Sequence, residues 1–312
     1  MAISFVGQVP EDERDDWIKR LSDLLPGETI RAFEDLSEAD KHEIEIAVVA
    51  NPEPAKLEAL PNLKWIHSVW AGVERMMAEL SHLDVPIVRL VDPELSRVMG
   101  EAVLAWTYYL QRDMPKYRDG QKNKAWIQHA YKYPWEVNVT LLGLGALGME
   151  AARRLKEAGF QVNGWSRNLK EIDGISCHCG TDGLTEVLGK TDILVSLLPL
   201  TAQTRGLLSK ERLSQLKSGA NLINFARGPI IVDEDLIMLL DTGHIAHAVL
   251  DVFAVEPLPE TDPYWSHPSV TVLPHISAPS DINSASSIVA DNIASYRKTG
   301  EVPGAVDRSS GY

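Results

Sequence analysis

Short apolar runs alternate with amphipathic stretches along nearly the whole chain. In the first hundred residues Ile3-Ser4-Phe5-Val6, Ile46-Ala47-Val48-Val49, Leu63-Lys64-Trp65-Ile66 and Ile87-Val88-Arg89-Leu90-Val91 predict strands. Between them, 15–25 and 53–60 carry helical spacing. From Gly100 to Arg118 the apolar positions Val103, Leu104, Trp106 and Leu110 predict one long helix, more apolar than a single domain face needs. A polar, irregular stretch over 122–134 follows.

A second alternating series then begins. Strands are predicted over 139–142, 161–165, 193–198, 221–225, 246–252 and 270–273, with helices over 150–158, 209–216 and 233–240. Asp233 is the expected N-cap of the last of these and Gly243 its stop. A final helix through 286–296 can return to pack on the first series. Two successive strand–helix series predict an α/β chain in which helices cover parallel sheets.

Composition narrows the partners. Of 312 residues, 45% are hydrophobic and 24% charged, an ordinary globular balance. The formal net charge of -14 repels nucleic acid and anionic membrane, so neither is expected as a partner. An anionic substrate would therefore need local cations. The segment from Met1 to Gly7 has no basic stretch and is followed by acidic residues, so no secretory signal is expected. No apolar run approaches the ~18 residues of a membrane span. Cys177 and Cys179 flank His178 with no second ligand cluster elsewhere, which predicts free thiols, no metal site and a cytoplasmic setting.

The most informative segment is Gly143-Leu144-Gly145-Ala146-Leu147-Gly148, entered from the apolar run Val139 to Leu142 and followed by a helical stretch. In that setting the first glycine permits the tight turn, the second lets a pyrophosphate approach the backbone, and the third lets helix and strand pack closely. The helix N-terminus offers N–H groups and a partial positive charge to the phosphates. A nicotinamide dinucleotide is the expected cofactor. At the end of the next strand the sequence reads Gly164-Trp165-Ser166-Arg167, without the carboxylate that would bind the ribose hydroxyls of NAD. Ser166 can donate a hydrogen bond and Arg167 can pair with the 2′-phosphate, so NADP(H) is preferred and NAD(H) remains open. The alternative is a loop arginine on a protein indifferent between the two.

Reduction of a 2-oxoacid needs a cation for the carboxylate, a proton donor near the carbonyl oxygen, and a means of keeping that donor protonated. Arg227 in Asn224-Phe225-Ala226-Arg227-Gly228 stands at the end of an apolar strand, where ligands bind in open parallel sheets. Its alternative is a structural ion pair. His275 in Leu273-Pro274-His275-Ile276-Ser277 stands at another strand end and has the usual chemistry of a general acid. Its alternative is a structural histidine, as for His244, His247 and His267. Leu250-Asp251-Val252-Phe253-Ala254-Val255-Glu256 adds two carboxylates: Glu256 to pair with His275 and raise its pKa, Asp251 to meet the nicotinamide end. Each also has a reading as a loop cap or surface charge.

Taken together, these segments resemble the D-2-hydroxyacid dehydrogenase family over nearly the whole chain. The features that carry the resemblance are the glycine loop, Leu198-Pro199-Leu200-Thr201 with Thr204-Arg205-Gly206, Ala226-Arg227-Gly228, Leu250-Asp251-Val252-Phe253 with Glu256-Pro257, and Pro274-His275. Trp165-Ser166-Arg167 and the ending Val306-Asp307-Arg308-Ser309-Ser310-Gly311-Tyr312 resemble its glyoxylate/hydroxypyruvate reductase branch. The resemblance implies two Rossmann-like domains. Residues 1–98 with 283–312 would form a discontinuous flavodoxin-like substrate domain, and 99–282 a doubly wound coenzyme domain. The long helix would take part in a homodimer. Arg227 would bind the substrate carboxylate and polarise the carbonyl, His275 would donate the proton, and Glu256 would pair with His275. Trp70-Ala71-Gly72-Val73 would hold the carboxylate by backbone N–H groups, and domain closure would exclude water. Cofactor contacts would fall on Gly143, Gly145, Ala146, Leu147, Gly148, Ser166, Arg167, Leu198, Pro199, Thr204, Ala226, Asp251, His275 and Ser277. Two departures stand out. Ser277 replaces the glycine or alanine often found there, and Trp70 replaces a smaller residue, so it serves either core packing or the substrate pocket. The implied activity is reduction of a small 2-oxoacid, glyoxylate or hydroxypyruvate, to the D-2-hydroxyacid. Two alternatives remain: an NAD-linked dehydrogenase of a larger D-2-hydroxyacid, and a dinucleotide sensor without turnover. A sensor has no need of a proton donor.

Overall fold

The computed structural model describes residues 2–308. Its contacts divide the chain into two compact units, Met1–Glu94 with Ser280–Tyr312, and Leu95–Pro279. Both cuts fall a few residues before those expected from the sequence.

The first unit contains β1 (Ala2–Gly7), α1 (Glu11–Leu24), β2 (Thr29–Ala32), α2 (Glu38–Lys41), β3 (Ile44–Ala50), α3 (Pro54–Glu58), β4 (Trp65–Ser68), α4 (Glu74–Glu79) and β5 (Ile87–Val88). The strands form one parallel sheet in the order β2-β1-β3-β4-β5, the flavodoxin-like order. Ile3, Phe5, Ile46 and Val48 pack one face against Trp17 and Leu21 of α1 and Ala285, Val289 and Ile293 of the C-terminal helix, Ile282–Thr299. Val6, Ala47, Val49 and Ile66 pack the other face against Leu57 and Met76. The expected strand at 63–66 lies two residues later. Leu63 is spent on a turn, its N–H on Leu60 O, and the strand continues through the buried polar pair His67 and Ser68. Strand β2 went unread because only two of its four residues, Ile30 and Ala32, are apolar. At the chain end Val306 N–H donates to Ile87 O, and Ser309 to Tyr312 lie outside the described residues.

The second unit opens with α5 (Pro93–Gln111), counted with it from Leu95 on, and α6 (Met114–Lys122). These replace the single helix expected over 100–118. The early start follows from Pro93 in the first turn and from Asp92, whose carboxylate accepts the Glu94 N–H at 2.8 Å. The break follows from Pro115, which cannot continue a helix, and from Asp113 at φ 55°, in the left-handed region.

Next come β6 (Asn138–Leu142), α7 (Ala146–Glu157), β7 (Gln161–Ser166), β8 (Ser176–Cys179), α8 (Gly180–Leu188), β9 (Ile193–Ser196), α9 (Lys210–Leu213), β10 (Ala220–Asn224), α10 (Asp233–Asp241), β11 (Ile245–Leu250) and β12 (Val270–Val272). Their parallel sheet has the order β12-β11-β10-β9-β6-β7-β8. The order reverses between β6 and β9, which makes that crevice the ligand position of a doubly wound sheet. The edge strand β8, Ser-Cys-His-Cys, has almost no apolar signal and was not anticipated. Asp233 is the first residue of α10 rather than its cap. Val232 holds the cap position, and Asp233 instead accepts the Tyr264 hydroxyl at 2.9 Å. No helix among the described residues is long and apolar enough to cross a membrane.

Candidate active site

The glycine loop leaves β6 at the switch point. Gly143 donates its N–H to Trp165 O at 2.9 Å and stands at φ +102°, where a Cβ would come within 2.8 Å of Leu197 O. Gly145 is the N-cap of α7, and a Cβ there would meet nothing within 4 Å. A Cβ on Gly148 would lie 1.9 Å from Gly143 O, so helix and loop touch backbone to backbone. The first intrahelical bond is Met149 N–H to Gly145 O, which leaves the N–H groups of Ala146, Leu147 and Gly148 without an intrahelical acceptor. The side-chain-free space over Gly145, next to these N–H groups, fits a pyrophosphate. On the facing loop Leu198 is buried, and the Thr204 hydroxyl donates to Pro199 O at 2.7 Å while accepting the Thr201 N–H at 2.8 Å. At the end of β7, Arg167 is exposed. Ser166 is buried, and its hydroxyl hydrogen goes to Asn168 O at 2.7 Å rather than outward.

The groups suited to proton transfer lie on the loops after β10, β11 and β12. Asn224, fully buried at the end of β10, laces the first of these turns: its Oδ1 accepts the Ala226 N–H at 3.2 Å and its Nδ2 donates to Arg227 O at 3.1 Å. Arg227 donates through Nη1 to Ala226 O at 2.6 Å. A Cβ on Gly228 would lie 2.0 Å from the Phe253 carbonyl carbon, so the Arg227 turn lies directly against the loop that carries Glu256. Glu256 is held at both oxygens: Oε1 accepts the Phe253 N–H at 2.8 Å and Oε2 faces His275 Nδ1 at 2.8 Å. With Nδ1–H donating to Glu256, Nε2 is the nitrogen left for a substrate.

His275 has φ 55°, an uncommon backbone conformation for a residue with a side chain. Asp251 holds the chain just after it. This carboxylate, buried at 2% exposure, accepts the N–H of Ile276 at 2.7 Å and of Ser277 at 3.0 Å. Its oxygens therefore brace the His275 turn, where the sequence suggested a nicotinamide contact. Ser277 is buried with its hydroxyl oxygen out of reach of any partner among the described residues.

The electrostatics separate His275 from the buried His67 and His247. Burial pushes His67 and His247 down to about 4, so both are neutral at physiological pH. His275 is pushed up, chiefly by its hydrogen bond to Glu256, against the opposing effects of burial and Arg227. Burial pushes the Glu256 carboxyl up, but the bonds from His275 and Phe253 outweigh it and leave Glu256 below the usual carboxylate range. The pair therefore favours carboxylate beside imidazolium.

In the first unit, Trp70 to Val73 form the loop after β4. The Trp70 N–H donates to Ser68 Oγ at 3.1 Å, which takes it out of the expected set of carboxylate donors. Ala71, Gly72 and Val73 donate to no described residue. The Trp70 ring packs beside the core face covered by α1 and also lines an open cavity of about 730 Å³ walled by Asp12, Glu13, Asp16 and Asp281.

Residues 104–277 match the family described as D-isomer specific 2-hydroxyacid dehydrogenase, NAD binding domain. The chain belongs to this family. It is 36% identical to a glyoxylate/hydroxypyruvate reductase A of Yersinia enterocolitica, over 97% of this chain and 98% of the relative. Among solved structures, a D-isomer specific 2-hydroxyacid dehydrogenase from Xanthobacter autotrophicus Py2, in complex with NADPH and MES, is 37% identical with a TM-score of 0.93 and covers 100% of this chain and 99% of its own. An NADPH-dependent glyoxylate/hydroxypyruvate reductase from Sinorhizobium meliloti, in complex with NADP and sulfate, is 31% identical with a TM-score of 0.91, again covering 100% and 99%.

Sequence reasoning missed Asn224 and Lys170, and the backbone contacts of Asp251, around the site of this 2-hydroxyacid dehydrogenase. Asn224 was read only as part of an apolar strand end, yet it fixes the turn that carries Arg227. The bracing contacts of Asp251 reach across 25 and 26 positions of sequence, beyond any local pattern. Lys170 donates to Leu144 O, inside the glycine loop, at 2.5 Å. A lysine four residues after Ser166 was the available signal. Among the described residues no cluster of three or more His, Cys, Asp or Glu could hold a metal ion, and Cys177 and Cys179 are free.

Proposed function

We propose that this dehydrogenase reduces small 2-oxoacids such as glyoxylate or hydroxypyruvate to the D-2-hydroxyacid, with NADPH preferred. The observation that carries the reading is the Glu256–His275 pair: a histidine whose pKa a hydrogen-bonded carboxylate raises, next to the turn that presents Arg227. Coenzyme binding is assigned to the unit Leu95–Pro279 and substrate binding to the other. The bound dinucleotide supplies the hydride. Arg227 supplies the cation for the substrate carboxylate and polarises the carbonyl. His275 donates the proton from Nε2 to the carbonyl oxygen as it gains negative charge, and Glu256 stabilises the imidazolium until then. The N–H groups of Ala71, Gly72 and Val73 are assigned to the substrate carboxylate. Relatives named for glyoxylate and hydroxypyruvate reduction support the substrate class, and neighbours solved with NADPH or NADP support the cofactor.

The direct test is oxidation of NADPH with a panel of 2-oxoacids. Tight cofactor binding with no turnover on any of them sinks the enzyme reading in favour of a sensor. A homodimer is part of the same proposal. Apolar side chains at Trp126, Ile127, Tyr131 and Trp135 lie exposed after α6, and a single-copy mass in sedimentation at micromolar concentration would count against it.

The pH dependence follows from the pair. Reduction requires protonated His275, so kcat/KM falls as pH rises through its elevated pKa. In Glu256→Gln the main cause of that elevation is gone, while burial and Arg227 still press downward. The alkaline limb of the profile therefore moves to lower pH and activity near neutrality drops. An unmoved limb would separate Glu256 from the proton donor.

A further inference from the structure

We propose that Tyr264 is a positioning residue for Glu256: its hydroxyl, bonded to Asp233, holds the base of the loop that carries this carboxylate. The inference rests on the roles given above to Glu256 and His275, and adds to them the fastening that keeps the pair together.

The loop between β11 and β12 is anchored at two points. Phe253 and Tyr264 are buried, and none of the residues between them, from Ala254 to Pro263, is. Their rings meet with centroids 6.2 Å apart, which closes the loop at its base. Glu256 therefore stands on an exposed stretch whose course is set from that base. One of its own contacts is there too, since Oε1 accepts the Phe253 N–H.

A single side-chain bond fixes the base against the neighbouring loop. The Tyr264 hydroxyl donates to Asp233 Oδ1 at 2.9 Å, and Asp233 opens α10. The segment that runs from Arg227 into Asp233 is the one whose Gly228 presses on Phe253. The bond thus ties the Glu256 loop to the Arg227 segment at a second point. From the loop side, Asp262 Oδ1 accepts the Tyr264 N–H at 2.9 Å and orients the residue. Burial and the adjoining carboxylate push the phenol up, so it remains a donor. Tyr264 sits in a core cluster made largely of leucines, where a phenyl ring would pack as well and spare the desolvation of a hydroxyl. Asp233 does not cap its own helix either. What the pair adds is direction: a ring contact tolerates sliding, whereas a hydrogen bond to a helix start specifies distance and angle.

The test reads the pH profile. Tyr264→Phe removes the hydroxyl and keeps the ring against Phe253. Misplacement by an ångström costs about a hundredfold in rate, so partial slack predicts a fall in kcat of about tenfold. NADPH affinity should stay near that of the unaltered protein, which also reports an intact fold. With Glu256 less well held, the alkaline limb of kcat/KM moves to lower pH, the direction expected for Glu256→Gln. In Glu256→Gln/Tyr264→Phe the second change moves it no further, because no carboxylate is left to position. Asp233→Asn keeps an oxygen for the hydroxyl and should retain most of kcat. Asp233→Ala removes that acceptor and should match Tyr264→Phe, and it decides the matter if the unpaired carboxylate keeps Tyr264→Phe from folding. A lowered melting temperature with kcat and the limb unchanged would make Tyr264 a support of the fold alone and overturn the proposal. So would a limb that Tyr264→Phe shifts equally with and without Glu256. The roles of Glu256 and His275 survive either result provided that Glu256→Gln itself moves the limb. If it does not, that reading falls and this proposal falls with it.

Discussion

Replacing His275 by Ala lowers turnover of a 2-oxoacid about a hundred- to ten-thousand-fold, while NADPH affinity stays near that of the unaltered protein. The size follows from what the imidazole supplies. Without a positioned donor, the carbonyl oxygen must draw its proton from water while negative charge builds on it. The selectivity follows from how the turn is built. The unusual backbone at His275 is held by Asp251 through the N–H groups of Ile276 and Ser277, and neither contact uses the imidazole. Glu256 keeps its Phe253 N–H and loses only its partner. The mutant therefore retains the loop and the cofactor cradle. Steady-state rates with NADPH and a 2-oxoacid, beside fluorescence titration of the cofactor, check both halves. Activity surviving near its original level would mean that another group gives the proton.

Parallel strands buried on both faces are what made this fold readable. Runs such as Ile46 to Val49 and Ile193 to Val195 are apolar at every position because helices cover both sides, and their shortness and β-branched residues mark them as strands. The edge strands β2 and β8 have a neighbour on one side only, tolerate Arg31 and His178, and left no such trace. The helix around Gly100 was legible as apolar and illegible in its ends. Its start depends on an Asp92 side-chain bond and its break on the backbone at Asp113.

The site divides in the same way. Glycine spacing is a local property of the chain, so the cradle could be located from sequence. Arg227, Glu256 and His275 could be picked out as polar residues at the ends of apolar strands. What each carboxylate contacts is a matter of three-dimensional packing. Glu256 and Asp251 look alike in sequence as acids on one loop, yet one faces an imidazole and the other two backbone amides. Ser166 was expected to face the cofactor, but its hydroxyl turns back onto its own loop. Side-chain direction at a turn depends on backbone geometry that residue types alone do not specify.

Two substitutions in the glycine loop separate folding from binding. In Gly148→Ala the new methyl group would sit 1.9 Å from Gly143 O, far inside contact distance. That oxygen belongs to a backbone fixed by the Gly143 N–H bond to Trp165 and by close approach to Leu197, so it cannot swing aside as a side chain would. The start of α7 must move away from β6 instead, carrying the N–H groups of Ala146 to Gly148 off their aim. NADPH affinity therefore falls, and overpacking removes about 1–3 kcal/mol of stability. Gly145→Ala meets no such obstacle, since its φ of -74° suits alanine and a Cβ finds open space. Thermal melting should therefore leave Gly145→Ala near the unaltered protein and lower Gly148→Ala, while titration with NADPH weakens both. The methyl group at 145 occupies the space assigned to the pyrophosphate. Unchanged NADPH affinity in Gly145→Ala would move the phosphates off this loop and remove the basis for assigning the dinucleotide to it.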